Sequence, residues 1–371
     1  MKLIKYKLGD LIRQRRQKND SNDLPICGVT RDGFIPPKQQ DADTSLYNVF
    51  YLKDFVFNPA RMELNAIVFN DRYEKAICSS LYEVFYVHRP EVILPEYLAL
   101  LVKQDWFTRY CKFMGSGSAR EYCRVANISE LEIEVPPIEF QAEMARDNQI
   151  IRDRIELKRR INDNLEVTTS SIYHSLFDEQ TTWAKGNVSD FGEVVGGATP
   201  SKDVDVYFCS EGIVWLTPKD LTSTGKKFIY KGETDITEAA YRSCSTKLLP
   251  KGSVLLTSRA PVGCVAIAMT ELCTNQGFKS IIPNNEFGTA FVYYFLKENK
   301  PLLESHSSGT TFMEISGSVL KTIPAFIPPK DLTKRFSSIC EPIFAYQAQI
   351  EAEIHQLLEL QRMVSSQLTS R

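Results

Sequence analysis

No apolar run in these 371 residues approaches the ~20 that a bilayer-crossing helix needs. No membrane association is therefore expected. The opening Met1-Lys2-Leu3-Ile4-Lys5-Tyr6-Lys7 lacks the long apolar stretch and cleavage site of a secretory signal, so a cytoplasmic protein is expected. Nine cysteines are scattered, odd in number and never spaced as Cys-x-x-Cys. That usage points to reduced thiols rather than a disulfide framework. His88, His174, His306 and His355 stand apart from the Cys and carboxylate neighbours that would make a metal site, so no metal is expected. Nor is there an excess of positive charge. A formal net charge of −2 argues against a non-specific nucleic-acid binder. It leaves room for a sequence-specific one, whose field is set by local patches.

Catalytic signatures are missing as well. There is no G-x-x-x-x-G-K-[ST] phosphate loop. An active DNA methyltransferase would carry a glycine-rich cofactor loop and an Asn/Asp-Pro-Pro-aromatic motif. The Pro-Pro pairs here are Ile35-Pro36-Pro37-Lys38, Val135-Pro136-Pro137-Ile138 and Ile327-Pro328-Pro329-Lys330, and none has those flanks. No Ser-His-Asp or paired-carboxylate arrangement stands out. Together these absences favour a binding scaffold over an enzyme.

What is present is a long-period repeat. Gly115-Ser116-Gly117-Ser118 precedes Ile128 to Pro137, and Ser307-Ser308-Gly309-Thr310 precedes Leu320 to Pro329. Gly117 to Gly309 and Pro137 to Pro329 both span 192 residues. Ile128, Leu131 and Val135 stay in phase with Leu320, Ile323 and Ile327. A duplication of this length speaks to fold, and a two-fold object suits a partner with two half-sites.

Each Pro-Pro is followed by a helical pattern. Over Ile138–Asp178 the apolar positions Leu157, Ile161, Leu165, Thr168, Ile172 and Leu176 recur at spacings of three and four, with no Gly or Pro between. Over Leu332–Leu368 the stripe is Ile343, Tyr346, Ile350, Ile354, Leu357, Val364 and Leu368. A helix with one apolar face needs a partner. The economical answer is that the two pair with each other as an antiparallel coiled coil, the alternative being two core helices of one domain. Ile161, Leu165, Ile172, Ile350, Leu357 and Val364 are the expected partner-binding positions. Between the helical patterns, strand-like runs fall at Leu46–Phe50, Asp54–Phe57, Asn65–Phe69 and Tyr82–Val87, then at Ile213–Thr217, Ser253–Thr257, Cys264–Met269 and Lys279–Ile282. Pro95–Phe113 and Ala290–Lys297 read as shorter helices. The predicted class is α+β: two pseudo-repeated α/β domains, 1–136 and 181–328, separated by helices at 137–180 and 329–371.

Groups suited to nucleic acid occur in both halves. Arg13-Gln14-Arg15-Arg16-Gln17-Lys18 places four cations in six residues, either a phosphate- and base-facing patch or a solvated charged helix end. Asn58-Pro59-Ala60-Arg61 follows Phe55-Val56-Phe57, as Ser258-Arg259-Ala260-Pro261 follows Leu255-Leu256-Thr257. Each half thus sets an Arg on a Pro-containing turn just after a strand, well placed for phosphate or guanine.

The words Gly196-Gly197-Ala198-Thr199-Pro200-Ser201, Trp215-Leu216-Thr217-Pro218-Lys219-Asp220, Leu249 to Arg259 and Thr274-Asn275-Gln276-Gly277-Phe278-Lys279 are specific in combination. With them the chain resembles the specificity subunits of type I restriction–modification systems. The likeness covers the whole chain, most clearly 186–371. The first half lacks the Gly-Gly-x-Thr-Pro and Trp-x-Thr-Pro-Lys-Asp words but keeps Tyr51-Leu52-Lys53-Asp54 and the Gly-Ser-Gly-Ser loop. The resemblance implies two target-recognition domains reading a bipartite duplex DNA, with a coiled-coil spacer between them. It implies no cofactor in this chain. S-adenosylmethionine is expected in two methylase subunits, and ATP with Mg in restriction/translocase subunits. DNA contacts are expected at Arg13, Arg15, Arg16, Lys18, Asn58, Arg61, Ser118, Arg120, Thr199, Ser201, Lys202, Thr217, Lys219, Arg259 and Thr310. Two other readings stay open: a fused methyltransferase–specificity enzyme, and a coiled-coil scaffold with no nucleic-acid role.

Overall fold

Leu8 and Val188 are both fully buried, 180 residues apart in the sequence, and each opens a copy of the same frame. A computed structural model of the chain describes residues 3–21, 23–37, 43–115, 122–179, 182–309 and 313–366. Contacts divide it into one unit of Met1–Ile155 with Leu357–Arg371 and a second of Glu156–Gln356.

The first unit contains β1 (Ile4–Lys7), β2 (Ile12–Arg15), β3 (Ile26–Thr30), β4 (Gly33–Ile35), β5 (Asn48–Tyr51), β6 (Phe55–Phe57), β7 (Ile67–Phe69), β8 (Lys75–Cys78) and β9 (Glu83–Val87). α1 (Pro95–Leu101), α2 (Asp105–Gly115), α3 (Val125–Ser129) and β10 (Glu132–Val135) follow, then the first part of α4 (Ile138–Phe177). Two four-stranded sheets form, ordered β2-β9-β6-β7 and β4-β3-β8-β5. Phe50, Val56 and Val84 share one cluster, and Leu8, Leu11, Phe55, Phe85, Leu98 and Phe107 make the larger one. β1 and β10 pair antiparallel from Ile4↔Val135 to Lys7↔Glu132.

The second unit continues from α4 through β11 (Ala184–Asn187), β12 (Gly192–Gly196), β13 (Phe208–Cys209), β14 (Ile213–Leu216), α5 (Pro218–Thr224), β15 (Phe228–Ile229), β16 (Thr234–Ile236) and α6 (Glu238–Ser243). β17 (Val254–Leu256), β18 (Val265–Ala268), β19 (Cys273–Thr274), β20 (Lys279–Pro283), α7 (Gly288–Glu298), α8 (Lys300–Ser305), α9 (Gly317–Thr322) and β21 (Pro324–Ile327) lead into α10 (Lys330–Ser366). Its sheets are ordered β12-β20-β17-β18-β15 and β13-β16-β14-β19. The first reproduces the order of β2-β9-β6-β7 and adds β15 at one edge.

The duplication extends to single hydrogen bonds. Leu8 N–H donates to Leu131 O at 2.8 Å, and Val188 N–H to Ile323 O at 3.0 Å. β11 pairs β21 as β1 pairs β10. Both long helices are fixed at their first turn by a fully buried polar side chain, and these two residues are 192 apart. Gln141 accepts from Leu94 N–H and donates to Val92 O and Pro136 O; Thr333 donates to Glu286 O and Lys330 O. A buried donor left unmade is costly, so each bond holds the helix start at one place on its unit.

The long helices meet within each unit. In the second, Lys158 pairs with Glu353 at 2.6 Å, while Gln347 donates to Asn162 O at 3.4 Å and Glu166 Oε2 at 3.3 Å. Position falls along α4 as it rises along α10, so the pairing is antiparallel. In the first unit Gln361 donates to Asn148 Oδ1 at 3.4 Å. Of the expected stripe, Ile350 is buried, while Ile161, Leu165, Ile172, Leu357 and Val364 are half-buried. Ile172 lies against the second unit's core and Val364 against the first unit's. Pro342 lies inside α10 on its exposed face, so the hydrogen bond it removes is lost toward water rather than in the core.

Some expectations are corrected. Pro95–Phe113 is two helices, because the Val102 carbonyl accepts from the Asn65 side chain at 2.8 Å and the chain turns there. α10 begins at Lys330 rather than Leu332, since the Pro329 carbonyl already accepts from Leu332 and Thr333. Thr217 leaves β14 to cap α5. Arg13–Lys18 is no helix end: Arg13 to Arg15 pair with Tyr86, Phe85 and Val84 in β2–β9.

Candidate nucleic-acid interface

In the second unit, three sequence words interlock. The Trp215 indole N–H donates to Ala198 O at 3.1 Å, and Ala198 N–H donates to Thr274 O at 3.0 Å. Asn275 N–H donates to Leu216 O at 2.9 Å, and the Asn275 side chain accepts from Gly277 N–H. Gly197 lies so close that a Cβ would stand 2.2 Å from the carbonyl oxygens of Thr274 and Asn275. Only glycine permits that approach. Asp220 closes the other side, accepting from Thr217 N–H and O–H at 2.7 Å each. The Thr217 hydroxyl is therefore part of the cap.

Around this knot the polar side chains gather. Thr199 donates to the Gln276 side chain. Lys279 bonds the Gln276 and Phe278 carbonyls. Burial and the neighbouring Arg259 lower its pKa, while Glu314 works the other way. Arg259 stands 3.8 Å from Glu314, on a turn where Ala260 has φ 55°. Ser258 holds that turn by accepting from Ile315 N–H and donating its own N–H to Gly277 O. Ser201, Lys202 and Lys219 are exposed, and Lys219 pairs with Glu233 at 2.8 Å. Threonine, amide, lysine and arginine groups converge here, the chemistry that binds phosphates and base edges.

In the first unit Arg15 turns inward. It forms a bidentate pair with Asp54, at 2.6 and 3.0 Å, and lies 4.7 Å from the ring centres of both Tyr51 and Tyr86. Asp54 is 2% exposed and also accepts from Tyr51 N–H. Arg15 is thus committed to the unit's own packing. Lys18 is exposed but bonds Leu46 O and Asn48 Oδ1. Arg13 donates to Gly9 O and Ile12 O, and Arg16 to Gln14. Asn58 caps the 3-10 turn Pro59–Leu64, accepting from Ala60 N–H, and Arg61 is exposed on that turn.

The family model "Type I restriction modification DNA specificity domain" matches residues 5–167 and again 180–360, nearly the whole chain and in two copies. The chain belongs to that family. It is 41% identical over 159 residues to the MjaIX specificity subunit of Methanocaldococcus jannaschii, across 42% of this chain but only 37% of that relative. It is 20% identical to the HindI specificity subunit of Haemophilus influenzae, with 98% of both chains covered. The solved S subunit from M. genitalium shares the fold, with a TM-score of 0.64 at 14% identity over 99% of this chain and 96% of that one.

As a type I specificity subunit the chain is a non-catalytic component of its restriction–modification enzyme. Among the described residues no cluster of three or more His, Cys, Asp or Glu is placed to hold a metal, and no helix is long and apolar enough to cross a membrane. Ser118, Arg120 and Thr310 lie outside the described residues. The expected site list left out Gln276 and Lys279. The word Thr274–Lys279 was itself the signal, and pairing it with the Gly-Gly word would have pointed to both residues.

Proposed function

We propose that each unit of this specificity subunit reads one half of a bipartite duplex target, and that the paired helices set the distance between the halves. The observation that carries this reading is the duplicated frame, repeated down to Leu8–Leu131 and Val188–Ile323. Two copies of one DNA-reading module in a chain suit two half-sites. The phosphate and base contacts are assigned to Arg13, Arg16, Lys18, Asn58 and Arg61 in the first unit. In the second they are Thr199, Ser201, Lys202, Thr217, Lys219, Arg259, Gln276 and Lys279. Two modification subunits dock along the helices through the flanks of the apolar stripe. Adenine methylation with S-adenosylmethionine belongs to them, and ATP- and Mg-dependent translocation and cleavage to restriction subunits.

The test is a paired insertion. Four residues in α4 alone, near Asp163, would separate the Lys158–Glu353 contact from that of Glu166 with Gln347. Four residues between Ile155 and Glu156, matched by four between Gln356 and Leu357, keep the antiparallel register. They lengthen each helix by ~6 Å and turn it slightly past one revolution. At ~3.4 Å per base pair the methylated target should keep both half-sequences and gain about two base pairs of spacer. Methylation-sensitive sequencing reads the result. An active variant with an unchanged spacer sinks the ruler.

A further inference from the structure

The first unit carries a groove lined by none of the residues assigned to DNA above. It has a volume of about 1170 Å³ and runs between the β3–β4 turn and α1–α2 on one side and α4 with the last turns of α10 on the other. Its floor is partly apolar, with Phe69, Leu100 and Trp106 half-buried. Its walls are net positive, with Arg31, Lys103, Arg109, Arg146, Arg152 and Arg362 against Asp32, Glu96 and Asp105. Arg31, Arg109 and Arg146 are exposed along it, with no acidic partner among the described residues. Lys103 reaches in from α1–α2, holding Arg31 O and Ile67 O at 2.7 and 2.6 Å. Desolvation of its ammonium lowers its pKa to about 8, with Arg31 and Arg152 adding to the shift and Asp32 opposing it. Of the acids on the groove, Glu96 is taken by Lys53, and Asp32 and Asp105 are exposed.

Two facts narrow the occupant. The volume exceeds the usual range for small-molecule sites, so a macromolecular segment fits better. An apolar floor with an arginine rim is the complement of an amphipathic helix bearing carboxylates. A duplex, a broad convex polyanion, would use the cations and leave the floor empty. The groove also breaks the repeat: 192 residues on, Ser338 and Phe344 replace Arg146 and Arg152, and Phe344 packs against Lys227 instead.

We propose that this groove docks an acidic amphipathic helix of another subunit of the enzyme, once per chain. The proposal rests on membership of a multisubunit enzyme, not on bipartite reading, and the two fail separately. The probe is the full chain assembled with its modification and restriction subunits, carrying benzoylphenylalanine in place of exposed Gln149 on the groove wall. The expected result is one protein cross-link per chain, to a segment rich in Asp and Glu. Arg109→Glu with Arg146→Glu should cut that cross-link by about tenfold, and Arg146→Gln by less. Both arginines are exposed, and unchanged thermal unfolding of the free chain verifies folding. A cross-link to DNA overturns the proposal and makes the groove a polynucleotide site. A cross-link to a segment without acids, no cross-link, or one indifferent to charge reversal also overturns it. Bipartite reading is scored separately, from the methylated half-sequences.

Discussion

The two units share a frame and differ in how they grip the long helices. The first uses Gln141 and apolar contacts such as Met144 and Val364. The second adds a buried ionic knot. Lys227, 8% exposed, sits 2.8 Å from Glu166 and 3.0 Å from Gln347, with its ammonium 3.8 Å from the Phe344 ring centre. Lys297 also pairs with Glu166, and Glu351 accepts from the Lys227 and Phe228 N–H groups. The position 192 residues before Gln347 is Ile155. The same place in the frame is therefore filled by hydrocarbon in one unit and by a charge network in the other. A duplicated fold fixes where helices attach without fixing the chemistry of attachment.

The strongest way to break this contrast is Glu166→Ala. It leaves Lys227 buried without its carboxylate, at about 3–5 kcal/mol. Lys227→Met should cost less, under about 2 kcal/mol, because Glu166 keeps Lys297 and methionine suits the aromatic surroundings. In a Trp106→Phe background the remaining tryptophans, Trp183 and Trp215, lie in the second unit, so urea unfolding by fluorescence reads that unit alone. Equal costs for the two variants would refute the network's polarity.

Next in size are the helix anchors. Gln141→Ala strands three backbone partners, one buried and two part-buried, at about 2–4 kcal/mol, whereas Thr333→Val removes one hydroxyl, at about 1 kcal/mol. Chemical denaturation of both variants tests that ordering.

Acid sharpens the comparison further. Burial opposes ionisation of Glu166, but Lys227 and Lys297 outweigh it and hold the carboxyl at about 2, against an ordinary 4.5. A depressed carboxyl contributes stability above its unfolded pKa and loses it as pH falls through the folded one. The second unit should therefore weaken between about pH 4.5 and 2. Glu166→Gln should flatten that slope in an acid titration of unfolding.

The smallest effects concern DNA. Arg61→Ala should reduce the salt slope of binding by about one ion. Arg259→Ala should reduce it by less, because Glu314 already sits 3.8 Å away. Glu314→Gln should raise binding in the second unit. Affinity titrations across salt check all three variants.

The repeat was legible in the sequence because Ile128, Leu131 and Val135 keep phase with Leu320, Ile323 and Ile327, five of them buried and Ile327 packed against the core, and core positions must keep phase. The long helices were legible from spacing alone, to within two residues at their starts, while Leu368 of the expected stripe lies outside the described residues. The charged strand Ile12–Arg15 was not. Its alternation is masked by Arg15, which packs between Tyr51 and Tyr86 by stacking and a bidentate pair. The motif words of the second unit could be recognised but not explained from sequence. Their meaning lies in contacts among Gly197, Trp215 and Asn275, which are far apart along the chain.

β1 pairs with β10, and β11 with β21, the opening strand of each unit beside its closing strand. The chain thus enters and leaves each unit through the same doorway. A stretch cut just outside β11 and β21, about residues 184 to 327, carries its sheets with both of its ends side by side. Such a stretch keeps the β11–β21 pairing within itself, so it can be exchanged as one block without leaving either of these strands unpaired.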